Sequence, residues 1–112
     1  MSNWLTICHV DDIPAGTGLC ALVNEQQVAV FRPDDSGSVF AISNMDPFAN
    51  ANVLSRGLIA QHQDELWVAS PLKKQRFNLS DGRCLENSEM SVKSYPARVR
   101  DGNVEIADSA AL

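Results

Sequence analysis

The chain has 112 residues, of which 45% are hydrophobic and 21% charged, and its formal net charge is −5 at pH 7. This length and composition predict one globular domain with its own hydrophobic core, and they exclude intrinsic disorder. The acidic balance, without any long run of basic residues, argues against a nucleic-acid partner.

The apolar segments, the N-terminal residues and the cysteine pattern are typical of a cytoplasmic protein with reduced thiols. No stretch approaches the roughly 18 apolar residues that a transmembrane helix needs, so we expect no membrane partner. Residues 1–6 lack a basic residue before an apolar run, so we expect no secretory signal. The cysteines, Cys8, Cys20 and Cys84, are odd in number and irregularly spaced. This pattern predicts reduced thiols rather than a disulfide framework.

Short apolar segments rich in Val, Ile, Leu and aromatic residues alternate with turn residues along the chain. No segment has the apolar period of a helix of ten residues or more, although 49–56 could form one helical turn. The pattern predicts an all-β antiparallel sandwich or barrel of short strands with little helix. The predicted strands are 5–10, 19–23, 27–32, 38–42, 57–60, 65–69, 76–79, 94–100 and 104–106.

Two irregular segments interrupt this pattern, residues 43–56 and residues 70–75. Each follows a predicted strand and contains a proline. The second leads into a cluster of positive charge, Lys73, Lys74 and Arg76, in an otherwise acidic chain. A solvated loop would account for such a cluster. The alternative is a docking patch for an acidic partner, where charge sets association rate and orientation.

Catalytic and metal-binding motifs are absent from the sequence. The soft or imidazole ligands are Cys8, His9, Cys20, His62 and Cys84, with neither Cys-x-x-Cys nor His-x-x-x-His spacing. No nucleophile elbow or phosphate-binding loop is present. We therefore predict no catalytic, cofactor-binding or metal-binding residue in this chain.

The two irregular segments resemble the paired loops of Rieske ferredoxins. There, Cys-x-His and Cys-x-x-His hold a [2Fe–2S] cluster. In this chain Asn44 and Asp46 occupy the first pair of ligand positions, and Ser70 and Lys73 the second. The resemblance implies a single Rieske-like iron–sulfur-protein fold over residues 1–106, and the residues that follow predict a flexible tail over 107–112. It also implies loss of the cluster, because these side chains cannot replace thiolate and imidazole ligands.

A more specific resemblance lies in Asp46-Pro47-Phe48 and in residues 53–59 and 67–77. These segments are similar to the small subunit of bacterial NAD(P)H-dependent nitrite reductase. The resemblance implies membership of a cytoplasmic oxidoreductase that reduces nitrite to ammonium with six electrons. It places FAD, an iron–sulfur cluster and sirohaem in the large subunit, and no cofactor in this chain.

If the chain carries no cofactor, its contribution must come through contacts with the large subunit. We therefore expect the two loops to form a docking surface. Two alternatives remain, a Rieske-type ferredoxin that carries electrons and a β interaction module unrelated to nitrogen metabolism. The residues predicted to form the docking surface are Asp46, Pro47, Phe48, Pro71, Lys73, Lys74 and Arg76.

Overall fold

The computed structural model describes residues 4–107, which form twelve β-strands and three 3₁₀ helices of three residues each. The predicted all-β fold with little helix is confirmed. None of the helices in the described chain has the length and apolar character needed to cross a membrane. The strands are β1 (Trp4–His9), β2 (Thr17–Val23), β3 (Gln26–Arg32), β4 (Phe40–Ser43), β5 (Met45–Asp46), β6 (Ala51–Asn52), β7 (Leu58–His62), β8 (Glu65–Ala69), β9 (Arg76–Asn78), β10 (Ser94–Tyr95), β11 (Ala97–Arg100) and β12 (Asn103–Ala107).

All strand pairs among the described residues are antiparallel. A three-stranded sheet has the order β1-β12-β11, and a four-stranded sheet the order β10-β4-β3-β2. A second three-stranded sheet, β7-β8-β9, and the short pair β5-β6 complete the domain. The 3₁₀ helices are Val10–Asp12, Leu54–Arg56 and Ser88–Met90.

Strand β3 separates two hydrophobic clusters. Its Val28 and Val30 side chains pack with Val104 and Ile106 on one side. Its Ala29 and Phe31 side chains belong to the cluster on the other side. Because successive side chains of a strand point to opposite faces, a strand buried on both sides has a continuous apolar run. The sequence Val28-Ala29-Val30-Phe31 is such a run, and all four residues are buried.

Tight turns join the hairpins and fix their register. Asn24 and Glu25 have φ angles of 48° and 67°, and Gln63 and Asp64 have φ angles of 51° and 64°. Two successive residues with positive φ are typical of turns whose twist matches the flanking strands. The β2–β3 hairpin is paired from Val23↔Gln26 onwards, so no loop residue is left between the turn and the ladder.

The predicted strand over 94–100 is divided at Pro96. Ser94 and Tyr95 pair with β4 in the four-stranded sheet, whereas Ala97–Arg100 pairs with β12 in the other sheet. Proline has no N–H to donate to a ladder, so it suits a point where the chain leaves one sheet for another.

The predicted boundary of the domain at residue 106 is one residue short of the end of β12. Ala107 is fully buried and pairs with Trp4, so the predicted tail over 107–112 begins inside a strand. Residues 108–112 of that predicted tail lie outside the described residues.

Candidate functional site

Two loops leave the same end of the β7-β8-β9 sheet. The first loop, residues 43–56, precedes β7, and the second loop, residues 70–75, joins β8 to β9. Leu58 of β7 pairs directly with Ala69, the last residue of β8. The backbone of Gly57 packs so closely that a Cβ there would clash with the Ala69 carbonyl oxygen and lie 2.6 Å from Val68 Cγ2. We call the two loops together with Leu58 the loop end.

The first loop is more regular than the sequence indicates. Met45 and Asp46 form a two-residue ladder with Asn52 and Ala51, and the helix Leu54–Arg56 follows. This ladder was missed because two-residue strands are too short to show an alternating pattern. Leu54 is fully buried in the hydrophobic cluster that contains Phe31. The first loop is therefore anchored in the hydrophobic core through Leu54.

Asn44 and Asp46, at the first pair of cluster-type positions, are buried and hydrogen-bonded within the protein. Asn44 Oδ1 accepts from the Ser55 backbone N–H at 2.7 Å, and its Nδ2 donates to Gln27 Oε1 at 3.2 Å. Asp46 Oδ1 accepts from the backbone N–H groups of Phe48 at 2.8 Å and Ala49 at 3.2 Å. Both side chains therefore fix the backbone of the first loop.

Ser70, at the third cluster-type position, joins the second loop to the first. Its hydroxyl donates to Asp46 Oδ2 and accepts from the Leu72 N–H at 3.3 Å. Its backbone N–H donates to the Gln75 carbonyl at 2.9 Å, and its carbonyl accepts from the Lys74 N–H at 3.1 Å. The second loop is thus a closed turn built around a buried serine.

Lysine side chains project from this turn. Lys73, at the fourth cluster-type position, and Lys74 are exposed, as is Pro71. Lys74 has a φ of 69°, in the left-handed region that lysine seldom adopts. Among the described residues, neither lysine forms an ion pair. Their charge is therefore available at the surface.

The remaining predicted docking residues are less accessible. Pro47 and Phe48 are half-buried, and the Phe48 ring lies 6.3 Å from the Phe77 ring, centroid to centroid. Arg76 is engaged with Glu86: its Nε donates to Glu86 Oε2 at 2.7 Å, and its backbone N–H donates to Oε1 at 2.8 Å.

The bonds with Arg76 lower the pKa of the Glu86 carboxyl. Partial burial acts to raise the pKa of its carboxyl, but the hydrogen bonds and the charge of Arg76 outweigh it, so the pKa lies below its ordinary value. The Arg76 charge is consequently neutralised at short range.

Three residues of the loop end were not singled out in the sequence. Leu58 and Leu72 retain 77% and 56% of their accessible surface, and Arg56 is exposed. The outward position of Leu58 follows from its neighbour, since Ile59 pairs with the buried Val68 and side chains alternate along a strand. Leu72 carries no comparable periodic signal, because it lies in a turn.

The donor groups at the loop end do not fit a Rieske cluster. Such a cluster is bound by two thiolates and two imidazoles, whereas Asn44, Asp46, Ser70 and Lys73 supply an amide, a carboxylate, a hydroxyl and an ammonium group. The first three already hydrogen-bond to the protein. Within residues 4–107 no three His, Cys, Asp or Glu side chains are grouped so that they could hold a metal ion.

Comparisons with known proteins agree with this architecture. Residues 3–107 match the family described as the Rieske-like [2Fe-2S] domain, so the strands and the paired loops define a Rieske-like β domain. The chain is 66% identical over 106 residues to the nitrite reductase (NADH) small subunit of Salmonella typhimurium, covering 95% of this chain and 98% of the relative. The chain belongs to the family of nitrite reductase small subunits, a family of oxidoreductase subunits, as predicted.

One solved structure and one longer relative extend the comparison. The NMR structure of the Escherichia coli protein NirD is 62% identical with a TM-score of 0.91, covering 97% of this chain and 99% of that one. The nitrite reductase [NAD(P)H] large subunit of Klebsiella oxytoca is 41% identical over 109 residues. This match covers 97% of our chain but 11% of the large subunit.

Proposed function

We propose that this chain is the small, cofactor-free subunit of a cytoplasmic NAD(P)H-dependent nitrite reductase. It supports the large subunit through docking contacts while that subunit reduces nitrite to ammonium. The observation that carries this proposal is the 66% identity, over nearly the whole length of both chains, to the Salmonella typhimurium small subunit.

The chemistry of the loop end favours a role without electron transfer. A Rieske-type carrier needs its iron ligands, and the four positions hold side chains that do not bind this cluster. The electrons for nitrite reduction would then pass through groups in the large subunit, where we expect FAD, an iron–sulfur cluster and sirohaem. This chain contributes by contact and has no catalytic residue of its own.

The Klebsiella oxytoca relative supports a large-subunit partner. That large subunit contains, within its own polypeptide, a segment similar to 97% of our chain. A domain that is covalently part of the large subunit in one protein is a natural non-covalent partner of the large subunit in another. Linking two modules in one chain raises their effective concentration without requiring a new contact.

We place the docking surface at the loop end, on Pro71, Lys73 and Lys74 of the predicted set, together with Arg56, Leu58 and Leu72. The two leucines supply apolar area that a partner could bury. Among the described residues, Arg56, Lys73 and Lys74 form no ion pair. Exposed apolar residues together with positive charge suit an acidic surface with an apolar recess on the partner.

The remaining predicted residues have supporting roles in this proposal. Asp46 and Phe48 shape the first loop from within, Pro47 is partly accessible beside them, and Arg76 holds the second loop to Glu86. Contact with the partner would fall mainly on the exposed residues.

Reconstitution tests this proposal. The purified large subunit is assayed for NADH-dependent nitrite consumption with and without this chain, and a visible absorption spectrum of the chain is recorded alongside. We expect a colourless chain that binds the large subunit and raises its activity or stability. Iron–sulfur absorbance in the purified chain would favour the electron carrier, and failure to bind any sirohaem-containing large subunit would favour an unrelated interaction module.

A matched pair of charge reversals tests the surface. Lys73→Glu and Arg100→Glu change the net charge equally, but Arg100 is an exposed residue of β11 in the β1-β12-β11 sheet and does not belong to the loop end.

At about 10 mM salt, where charges act over roughly 30 Å, we expect Lys73→Glu to slow association about fivefold or more, since charge reversals at an interface mainly alter the association rate. Arg100→Glu should have little effect, and the difference should shrink at about 1 M salt. Equal effects of the two reversals would show that the surface is misplaced.

A further inference from the structure

A buried side-chain hydrogen bond connects the two loops of the loop end. Asp46 is 0% exposed and Ser70 is 1% exposed, and the Ser70 hydroxyl donates to Asp46 Oδ2. Among the described residues this is the one hydrogen bond that joins residues 43–56 to residues 70–75. Strands β7 and β8 lie between the two loops in the covalent chain, so the bond links segments that are distant in sequence.

Each partner also organises its own loop. Asp46 uses its other oxygen, Oδ1, to accept from Phe48 and Ala49, while the Ser70 oxygen accepts from the Leu72 N–H. The result is a continuous chain of hydrogen bonds from the backbone of the first loop to the backbone of the second. A hydrogen bond to a carboxylate in a buried setting is among the stronger ones in proteins.

This bond joins two of the four cluster-type positions. Asp46 and Ser70 occupy the positions at which the resemblance to Rieske domains places one cluster ligand on each loop. A metal cluster there would hold the two loops together, and this chain lacks the thiolate and imidazole donors for one. We propose that Asp46 and Ser70 form a clamp that positions the two loops in place of the cluster.

The clamp is a property of the isolated chain and does not rest on the proposed function. Its consequence for function is that the exposed residues Leu72, Lys73 and Lys74 are presented in one arrangement before any partner arrives. Such pre-organisation lowers the entropy lost on association. Asp46 and Ser70 are thus positioning residues that act through the loops they hold.

Amide hydrogen exchange of the isolated protein tests the clamp. In Ser70→Ala, exchange should accelerate about tenfold at the Phe48 and Ala49 amides, which lie on the other loop, as well as at Leu72. Exchange at Val28 and Val30 in the central strand should change far less. If only the Leu72 amide accelerates, Ser70 merely caps its own turn and the proposal fails.

Asp46→Asn provides a second variant that preserves the shape of the side chain. Its remaining oxygen can still accept from Phe48 and Ala49, so the substitution mainly alters the group facing Ser70. A double-mutant cycle with Ser70→Ala should show coupling of about tenfold in loop opening, which corresponds to about 1.4 kcal/mol. Multiplicative effects, meaning no coupling, would overturn the proposal.

Asn78 offers a matched control elsewhere in the domain. It is buried like Asp46, and its Oδ1 caps its own turn by accepting from the backbone N–H groups of Ser80 at 2.8 Å and Asp81 at 3.3 Å. Asn78→Ala should accelerate exchange at those two amides without a selective effect on Phe48 and Ala49. A selective effect there would show that any loss of a buried cap loosens the loop end, which contradicts a dedicated clamp.

Binding measurements separate this proposal from the proposed function. If the wild-type chain binds the large subunit, Ser70→Ala should weaken binding more than Asn78→Ala does, and equal losses would contradict positioning by the clamp. If the wild-type chain does not bind, the proposed function fails, and hydrogen exchange alone still decides whether the clamp exists.

Discussion

Replacing Leu54 by alanine tests whether the first loop is anchored in the core. Leu54 lies in the helix Leu54–Arg56 and is 0% exposed, in the same hydrophobic cluster as Phe31, Val68 and Phe77. If the loop were held only by its hydrogen bonds, this side chain would contribute little to global stability. Because Leu54 packs in the core, we instead expect the first loop to unfold together with the rest of the domain.

The expected magnitude follows from burial. Leu54→Ala removes buried methyl and methylene groups worth about 0.8 kcal/mol each, and the cavity adds a further cost, so about 3 kcal/mol of unfolding free energy should be lost. For a domain of this size, the melting temperature should fall by roughly 15 °C. Urea and thermal unfolding followed by circular dichroism measure both quantities.

Leu72→Ala is the matched control, because it makes the same chemical change at a residue that is 56% exposed. Its unfolding free energy should stay within about 0.5 kcal/mol of wild type. Under the proposed function, Leu72→Ala should weaken binding to the large subunit although the protein remains stable. A loss below about 1 kcal/mol in Leu54→Ala, or equal losses in the two variants, would refute the claim that the core anchors the loop.

Two further predictions concern titratable groups. Because the folded-state pKa of Glu86 lies below its ordinary value of 4.5, its bonds with Arg76 stabilise the protein above that value, and this contribution disappears as the pH falls through the folded pKa. Glu86→Gln should therefore lose about 0.5 kcal/mol in urea unfolding at pH 7 and progressively less as the pH falls below 4.5; a loss that stays the same at every pH would contradict this. Partial burial raises the pKa of the Cys20 thiol above its ordinary value of 9.0, so its alkylation by iodoacetamide should be slower at pH 7.5 than that of an unfolded cysteine peptide and should rise steadily with pH. A rate that levels off below pH 9 would be inconsistent with that shift.

Local chemistry explains which parts of the fold could be predicted. The hairpins β2–β3, β7–β8 and β11–β12 follow from alternating apolar residues and short polar turns, both of which are local signals. The division at Pro96 was not predicted, because the run on either side is apolar enough for one strand. Which sheet each half joins depends on contacts with β4 and β12, which are distant in sequence.

The sequence likewise predicts only part of the loop end. The positions of the loops and their four non-ligand residues could be identified from sequence resemblance. The engagement of Arg76 could not, because its partner Glu86 lies ten residues further along and approaches only when the chain after β9 folds back. Nor does the sequence show that Asp46 is buried, since aspartate is rarely fully buried without a partner. That partner, Ser70, is supplied by the other loop.

Two kinds of exposed residue occur together at the loop end. Lys73 and Lys74 form no ion pair among the described residues, and Leu58 and Leu72 expose apolar surface. Positive charge on an otherwise acidic chain attracts an acidic partner before contact and steers its approach. Salt would weaken this steering, but it would not weaken burial of the exposed leucines. Association rate and complex lifetime should therefore depend on different residues of the same surface, the lysines for the first and the leucines for the second.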